Sequence, residues 1–202
     1  ASLLRLWLLP WNAALTRESR WRTYAAARFE QLFGDDPAAW ALRVVGAPPP
    51  HTRLAVALPR AITQVLEEEI GAALHGVQSA ALNAVDQFLQ RERTYTGAIV
   101  VWGSLGAWCV LLREGQLLRV RLRRVATDRV LDHLAPTLRT EWASVHPEAA
   151  LPHLAVCVDG AAQDAGMDAH ALAEQLHAAE LAPQVQVLDT VRTLEVPPCA
   201  DS

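Results

Sequence analysis

The side chains able to do chemistry are few, and they are scattered. The stretch Trp102-Gly103-Ser104-Leu105-Gly106 lies between two apolar runs, and a glycine-rich loop so placed can turn backbone N–H groups onto a phosphate. The same composition suits a plain tight turn, and the loop lacks the lysine and the fixed spacing of a Walker loop. A second apolar run ends in Val158-Asp159-Gly160-Ala161, where Asp159 and Gly160 are either the remnant of a ligand site or a strand-ending turn. Of seven histidines, only His170 and His177 share a helical stretch. Two turns apart, they lie on one face but too far from each other to hold one metal without further ligands, so they read as surface residues and no metal site is expected. No serine occupies a Gly-x-Ser-x-Gly elbow, which leaves hydrolase chemistry without an anchor. Arg119, Arg121 and Arg123 alternate with Val120 and Leu122, and Arg124 breaks the pattern. Such a row either protects an edge strand from aggregation or recruits an acidic peptide. The run Glu67-Glu68-Glu69 is likewise a solvated helix side or a docking face for a basic partner. No residue is expected to be catalytic.

Composition narrows the class of protein that must position these groups. With 202 residues, 51% hydrophobic and 20% charged, the chain has the core of one large domain or two small lobes. Its net charge of -4, with acids and bases interspersed, gives no electrostatic case for nucleic acid or an anionic membrane as partner. All 18 basic residues are arginine, so no lysine is available for a Schiff base or a P-loop. Cys109, Cys157 and Cys199 lie in no metal or redox spacing, which fits buried or inert thiols in a reducing, cytoplasmic compartment. No apolar run reaches the roughly 20 residues that span a bilayer. The chain begins on Ala1 rather than Met, as a piece of a longer protein would, and a membrane segment outside it is compatible with everything above.

Periodicity and turn chemistry place the elements. Leu3 to Leu9 reads as a strand ended by Pro10, and Thr16 as the cap of a helix from Arg17 to Phe33 that stops at Gly34. Strands are expected at Trp40 to Val45 and Arg53 to Leu58, separated by a linker loop from Gly46 to Pro50, with helices at Ala61 to Leu74 and Ala81 to Arg91. A short extended piece at Gly76 to Ser79 would join those helices. Three adjacent strands follow, Ala98 to Trp102, Ala107 to Arg113 and Gln116 to Val125, divided by Gly103-Ser104-Leu105-Gly106 and Glu114-Gly115. A helix from Thr127 to Val145, a strand at Leu154 to Val158, a helix from Asp168 to Glu180 and a strand at Val185 to Leu188 complete the order. The expected organisation is an α/β protein with a first lobe over 1–94, a second over 95–196 and a flexible tail over 197–202. Three strands in a meander and then helix, strand, helix, strand form the core of the ribonuclease-H-like fold, and two such units in tandem make the actin-like fold.

The phrase Ile99-Val100-Val101-Trp102-Gly103, then Trp108 to Leu112, Arg113-Glu114-Gly115 and Leu117 to Val125, resembles the second phosphate-loop hairpin of the actin-like proteins of bacterial pilus and secretion assembly. That group comprises PilM and MshI of type IV pili and the cytoplasmic domain of GspL of type II secretion. Arg53-Leu54-Ala55-Val56-Ala57-Leu58-Pro59 and the acidic helix after it are similar to a strand and helix of the group's first lobe. The resemblance implies a two-lobed, actin-like fold of tandem ribonuclease-H-like units, the first truncated or divergent. It also implies a damaged nucleotide site. The loop aspartate that helps hold magnesium-bound phosphates falls on Trp102, the paired glycines near the adenosine are reduced to Gly160 beside Asp159, and no first phosphate loop is visible.

Trp102, Gly103, Ser104, Gly106, Asp159 and Gly160 are therefore expected to be a degenerate nucleotide site that takes no ATP or Mg²⁺. The implied role is a non-catalytic scaffold, a pseudo-ATPase, on the cytoplasmic side of the inner membrane. It would bind a segment of a membrane protein or a motor ATPase, and homodimerisation is compatible with it. Two alternatives stand beside this expectation: an active actin-like nucleotide hydrolase using a carboxylate such as Asp159, and an α/β binding module unrelated to actin.

Overall fold

A computed structural model describes residues 4–45, 50–71, 80–103, 106–124, 130–159, 162–163 and 166–188. The expected cap of the fourth helix at Thr127, the extended piece at 76–79, most of the linker loop, the C-terminal tail, and the site positions Ser104 and Gly160 lie outside the described residues. Two compact units form, Ala1–Val77 with Gln116–Val120, and Gln78–Gly115 with Arg121–Ser202.

In the first unit, alternating apolar residues make three strands, β1 (Arg5–Leu9), β2 (Trp40–Val44) and β3 (Arg53–Pro59). They pair antiparallel in the order β1-β3-β2, with Trp7 opposite Ala55 and Leu42 opposite Ala57. Helix α1 (Glu18–Phe33) presents Trp21, Ala25 and Phe29, one turn apart, to one face of this sheet. Trp7, Leu9, Val44, Ala55 and Ala57 meet them there. Small alanines on the central strand leave room for the rings: Phe29 packs 5.4 Å from Trp7 and 5.2 Å from Trp40, centroid to centroid. Two arginines cover the rim, Arg53 at 4.5 Å over Trp21 and Arg5 at 4.9 Å over Phe33. Helix α1 starts one residue later than expected, because Arg17 and not Thr16 takes the extended cap conformation. Thr16 thus stands outside the first turn, and no side chain caps the helix. Its end is as expected: the N–H of Gly34 donates to the Glu30 carbonyl. A second helix, α2 (Arg60–Ile70), follows β3 directly.

The chain continues with α3 (Ala80–Arg91), the meander β4 (Gly97–Gly103), β5 (Gly106–Arg113) and β6 (Gln116–Arg123), then α4 (Val130–Val145), β7 (His153–Val158), α5 (Ala169–Ala178) and β8 (Gln184–Val187), all in the second unit but for the first five residues of β6. The sheet order is β6-β5-β4-β7-β8, antiparallel between β4 and β5 and parallel from β4 to β7 and β7 to β8. That order is the one the ribonuclease-H-like reading requires. All seven residues of β4 are buried, as befits a central strand with both faces covered. Leu134, Leu138 and Trp142 of α4, Leu172 and Leu176 of α5, and Val85 and Phe88 of α3 are buried in this unit. Asp168 caps α5, its carboxylate accepting from the N–H of His170 at 2.9 Å.

Phe29 is fully buried, whereas Leu32 on the same helix is half exposed. Replacing Phe29 by Ala is expected to cost about 3–5 kcal/mol and to shift the urea midpoint followed by tryptophan fluorescence, while Leu32→Ala stays within about 0.5 kcal/mol of the parent.

Candidate functional site

The expected site is built where β4 and β7 end side by side. Trp102 pairs with Ala107 across the hairpin and with Val158 on β7, and its indole is buried. The Trp102 carbonyl accepts the N–H of Asp159 at 2.7 Å, which brings Asp159 beside the turn. The carboxylate of Asp159 lies against Gly103: a Cβ on that glycine would overlap its Oδ2. Oδ1 of Asp159 accepts from the backbone N–H of Ala162 at 2.8 Å, and the Asp159 carbonyl accepts from Gln163 at 3.0 Å. Gly106, on the far side of the turn, has φ +123 and runs so close to β6 that a Cβ would overlap the Arg123 carbonyl. The structure therefore gathers Trp102, Gly103, Gly106 and Asp159 into one place, as their spacing alone did not guarantee.

One carboxylate is engaged by a backbone N–H and lies against the turn, and the side chain at the end of the central strand is a buried hydrocarbon surface. A phosphate brought to Gly103 would lie at short range from the Asp159 carboxylate. Among the described residues no three His, Cys, Asp or Glu side chains are grouped to hold a metal ion.

The arginine row sits on β6, which is an edge strand of the five-stranded sheet. Val120 is buried opposite the row, so the expected alternation holds. The three arginines are not equivalent. Arg119 is half-buried and Arg121 exposed, while Arg123 donates through Nη2 to Oε1 of Glu141 at 2.5 Å. Glu141 is the one buried charged residue among those described, 7% exposed. Its position was foreshadowed in the sequence, three residues after Leu138 and seven after Leu134, which is the core-facing stripe of α4. Cys109 of β5 feels both charges: burial pushes its thiol up to about 12, with Arg123 lowering and Glu141 raising it by smaller amounts. Cys157 is also buried and forms no disulfide.

A second feature had no single sequence signal. A cleft of about 970 Å³ is lined by His153, His170, Glu174, His177, Glu92 and Tyr95 and by the residues of β8. It joins His170 and His177, exposed on α5, to the half-buried His153 of β7, whose ring lies 6.0 Å from that of Tyr95. Burial, reinforced by Glu92, holds the Tyr95 hydroxyl above its ordinary range, and that hydroxyl donates to the Ala98 carbonyl at 3.1 Å.

Two sheets, the second in ribonuclease-H-like order, with helices packed on them, give the chain a mixed α/β fold of the actin-like class. Within that class the fold resembles that of PilM. The solved PilM-PilN type IV pilus biogenesis complex is similar with a TM-score of 0.62 at 15% identity, over 91% of this chain and 65% of that one. A Bacteroides thetaiotaomicron protein with an actin-like ATPase fold and unknown function is similar with a TM-score of 0.58 at 11% identity, again over 91% and 65%. The chain thus spans just under two thirds of the length of either protein. No protein-family model matches it, and no curated protein does.

Two outcomes test this site's energetics. Arg123→Ala removes the Arg123 guanidinium from Glu141 and is expected to cost about 1–2 kcal/mol in chemical denaturation, discounted because Arg123 is half exposed; the Arg123→Met, Glu141→Leu pair recovers most of it. The Cys109 thiol gives a pH dependence. Below pH 9.0 both states hold the proton; above it the unfolded chain releases the proton that the folded chain keeps to about 12. The unfolded state then binds fewer protons, so unfolding free energy falls as pH rises from 9.0 toward 12, and Cys109→Ala should flatten that slope in denaturation series across the range.

Proposed function

We propose that the protein is a non-catalytic scaffold of the actin-like class, a pseudo-ATPase that takes neither ATP nor Mg²⁺ and serves an assembly platform of the type IV pilus or type II secretion kind. The observation that carries the reading is the state of the β4–β7 corner. Trp102 is buried where the resemblance places a metal-binding aspartate, and the neighbouring carboxylate, Asp159, is held by the N–H of Ala162 against Gly103. An indole offers no anionic oxygen to a hydrated Mg²⁺, so the metal that would neutralise a triphosphate loses a ligand here.

Under this reading the fold works as a fixed frame. Binding does not wait on nucleotide exchange, and the partner is a protein segment, as the similar PilM-PilN complex suggests. No described helix is long and apolar enough to cross a membrane; we place the protein at the cytoplasmic face of the inner membrane, held there through partners. A second reading rests on Asp159, whose carboxylate stands at the turn and would serve as a metal ligand if freed from Ala162. It makes the protein an actin-like nucleotide hydrolase.

Isothermal titration with MgATP decides between them. The scaffold predicts no saturable heat, with any Kd weaker than about 1 mM. Saturable micromolar binding that Asp159→Asn abolishes would establish the hydrolase reading instead.

A further inference from the structure

Helix α2 is amphipathic, yet none of its residues is buried. Ile62 and Leu66 are half-buried where the helix meets β2 and β3. Val65 is 55% exposed and Ile70 45%, two of the four large apolar residues found exposed among the described ones. Val65 stands four residues after Ala61 and three and four before Glu68 and Glu69, so one outward strip carries an apolar centre and two carboxylates.

The placement of the acids is unfavourable for the isolated helix. Glu67, Glu68 and Glu69 fall in the last turn of α2, and no basic residue accompanies them there. A helix C-terminus carries the negative end of the macrodipole, and adjacent like charges repel. Among the described residues none of the three forms an ion pair. Three carboxylates at the wrong end of a helix, beside exposed valine and isoleucine, make a surface that lacks a cationic partner among the described residues.

We propose that α2 is a docking surface for a basic amphipathic helix of a partner protein, its arginines or lysines facing Glu68 and Glu69 and its apolar residues covering Val65. The inference rests on the scaffold reading and gives its partner a chemistry. Apolar area supplies the affinity in such a contact, and the charge pairs set orientation and association rate.

The test uses the whole chain and a labelled amphipathic peptide of about 18 residues, some five turns, built from leucine and arginine at helical spacing. A second peptide carries glutamate in place of every arginine. Fluorescence anisotropy should show the arginine peptide binding at least about tenfold tighter than the glutamate one, with the difference shrinking as salt rises. Val65→Asp and the pair Glu68→Arg, Glu69→Arg should each weaken it by roughly tenfold or more, with an unchanged thermal melt, since all three side chains are exposed. A pair with the same charge change elsewhere, Glu30→Arg with Glu148→Arg, should leave the affinity intact. Equal binding of both peptides, or α2 variants with the parent's affinity, overturns the proposal. So does a homodimer in sedimentation that Val65→Asp dissolves, which would make α2 a self-interface. The MgATP titration is independent of α2, so a silent titration with failed docking rejects this surface alone.

Discussion

Strand β4 cannot meet water on either face. Its seven residues, Gly97 to Gly103, are all buried, and an extended segment of that kind is stable only when helices or loops cover both faces and strands bond both edges. β5 satisfies one edge and β7 the other. Because β5 comes from a tight hairpin it must run antiparallel, and because β7 comes after α4 it can run parallel. From this one requirement follow the mixed sheet, the burial of α4 and α5 side chains, and the convergence of Trp102 and Asp159 at the strand ends. The corner that resembles a phosphate site is thus first of all the place where a central strand stops.

Much of this was legible in the chain itself. Apolar runs of five to eight residues bounded by Gly-Ser-Leu-Gly and Glu-Gly marked the meander, and the observed β4, β5 and β6 differ from the expected spans only at their ends. The same holds for α5, where Asp168 caps as its type and place suggested. Harder to see was how strands separated by a helix would pair. Nothing local in Arg53 to Pro59 says that it becomes the middle of β1-β3-β2; the alanines that make it narrow enough only gain meaning once Trp7, Phe29 and Trp40 are packed over them.

The site was legible in its members and illegible in its bonds. Residues 102, 103, 106 and 159 could be picked out by glycine and by the ends of apolar runs, but the capture of Asp159 by Ala162 depends on backbone placement after β7. The arginine row was visible by alternation, whereas the difference among its members was not, since Glu141 reaches Arg123 across 18 positions of sequence. Thr16 failed as a cap for a related reason. Capping depends on which residue turns extended at the helix start, and that is set by how α1 seats its aromatic stripe on the sheet.

The aromatic face of the first unit has an optical consequence. Trp11 and Trp21 lie 6.0 Å apart with their rings inclined at 31°, close enough for the transition dipoles of the two indoles to couple as an exciton pair. Four of the seven tryptophans, Trp7, Trp11, Trp21 and Trp40, belong to this unit, while Trp102, Trp108 and Trp142 belong to the other. The first unit therefore carries a chiroptical marker that exists only while α1 sits on its sheet, which makes its integrity observable in the unlabelled chain.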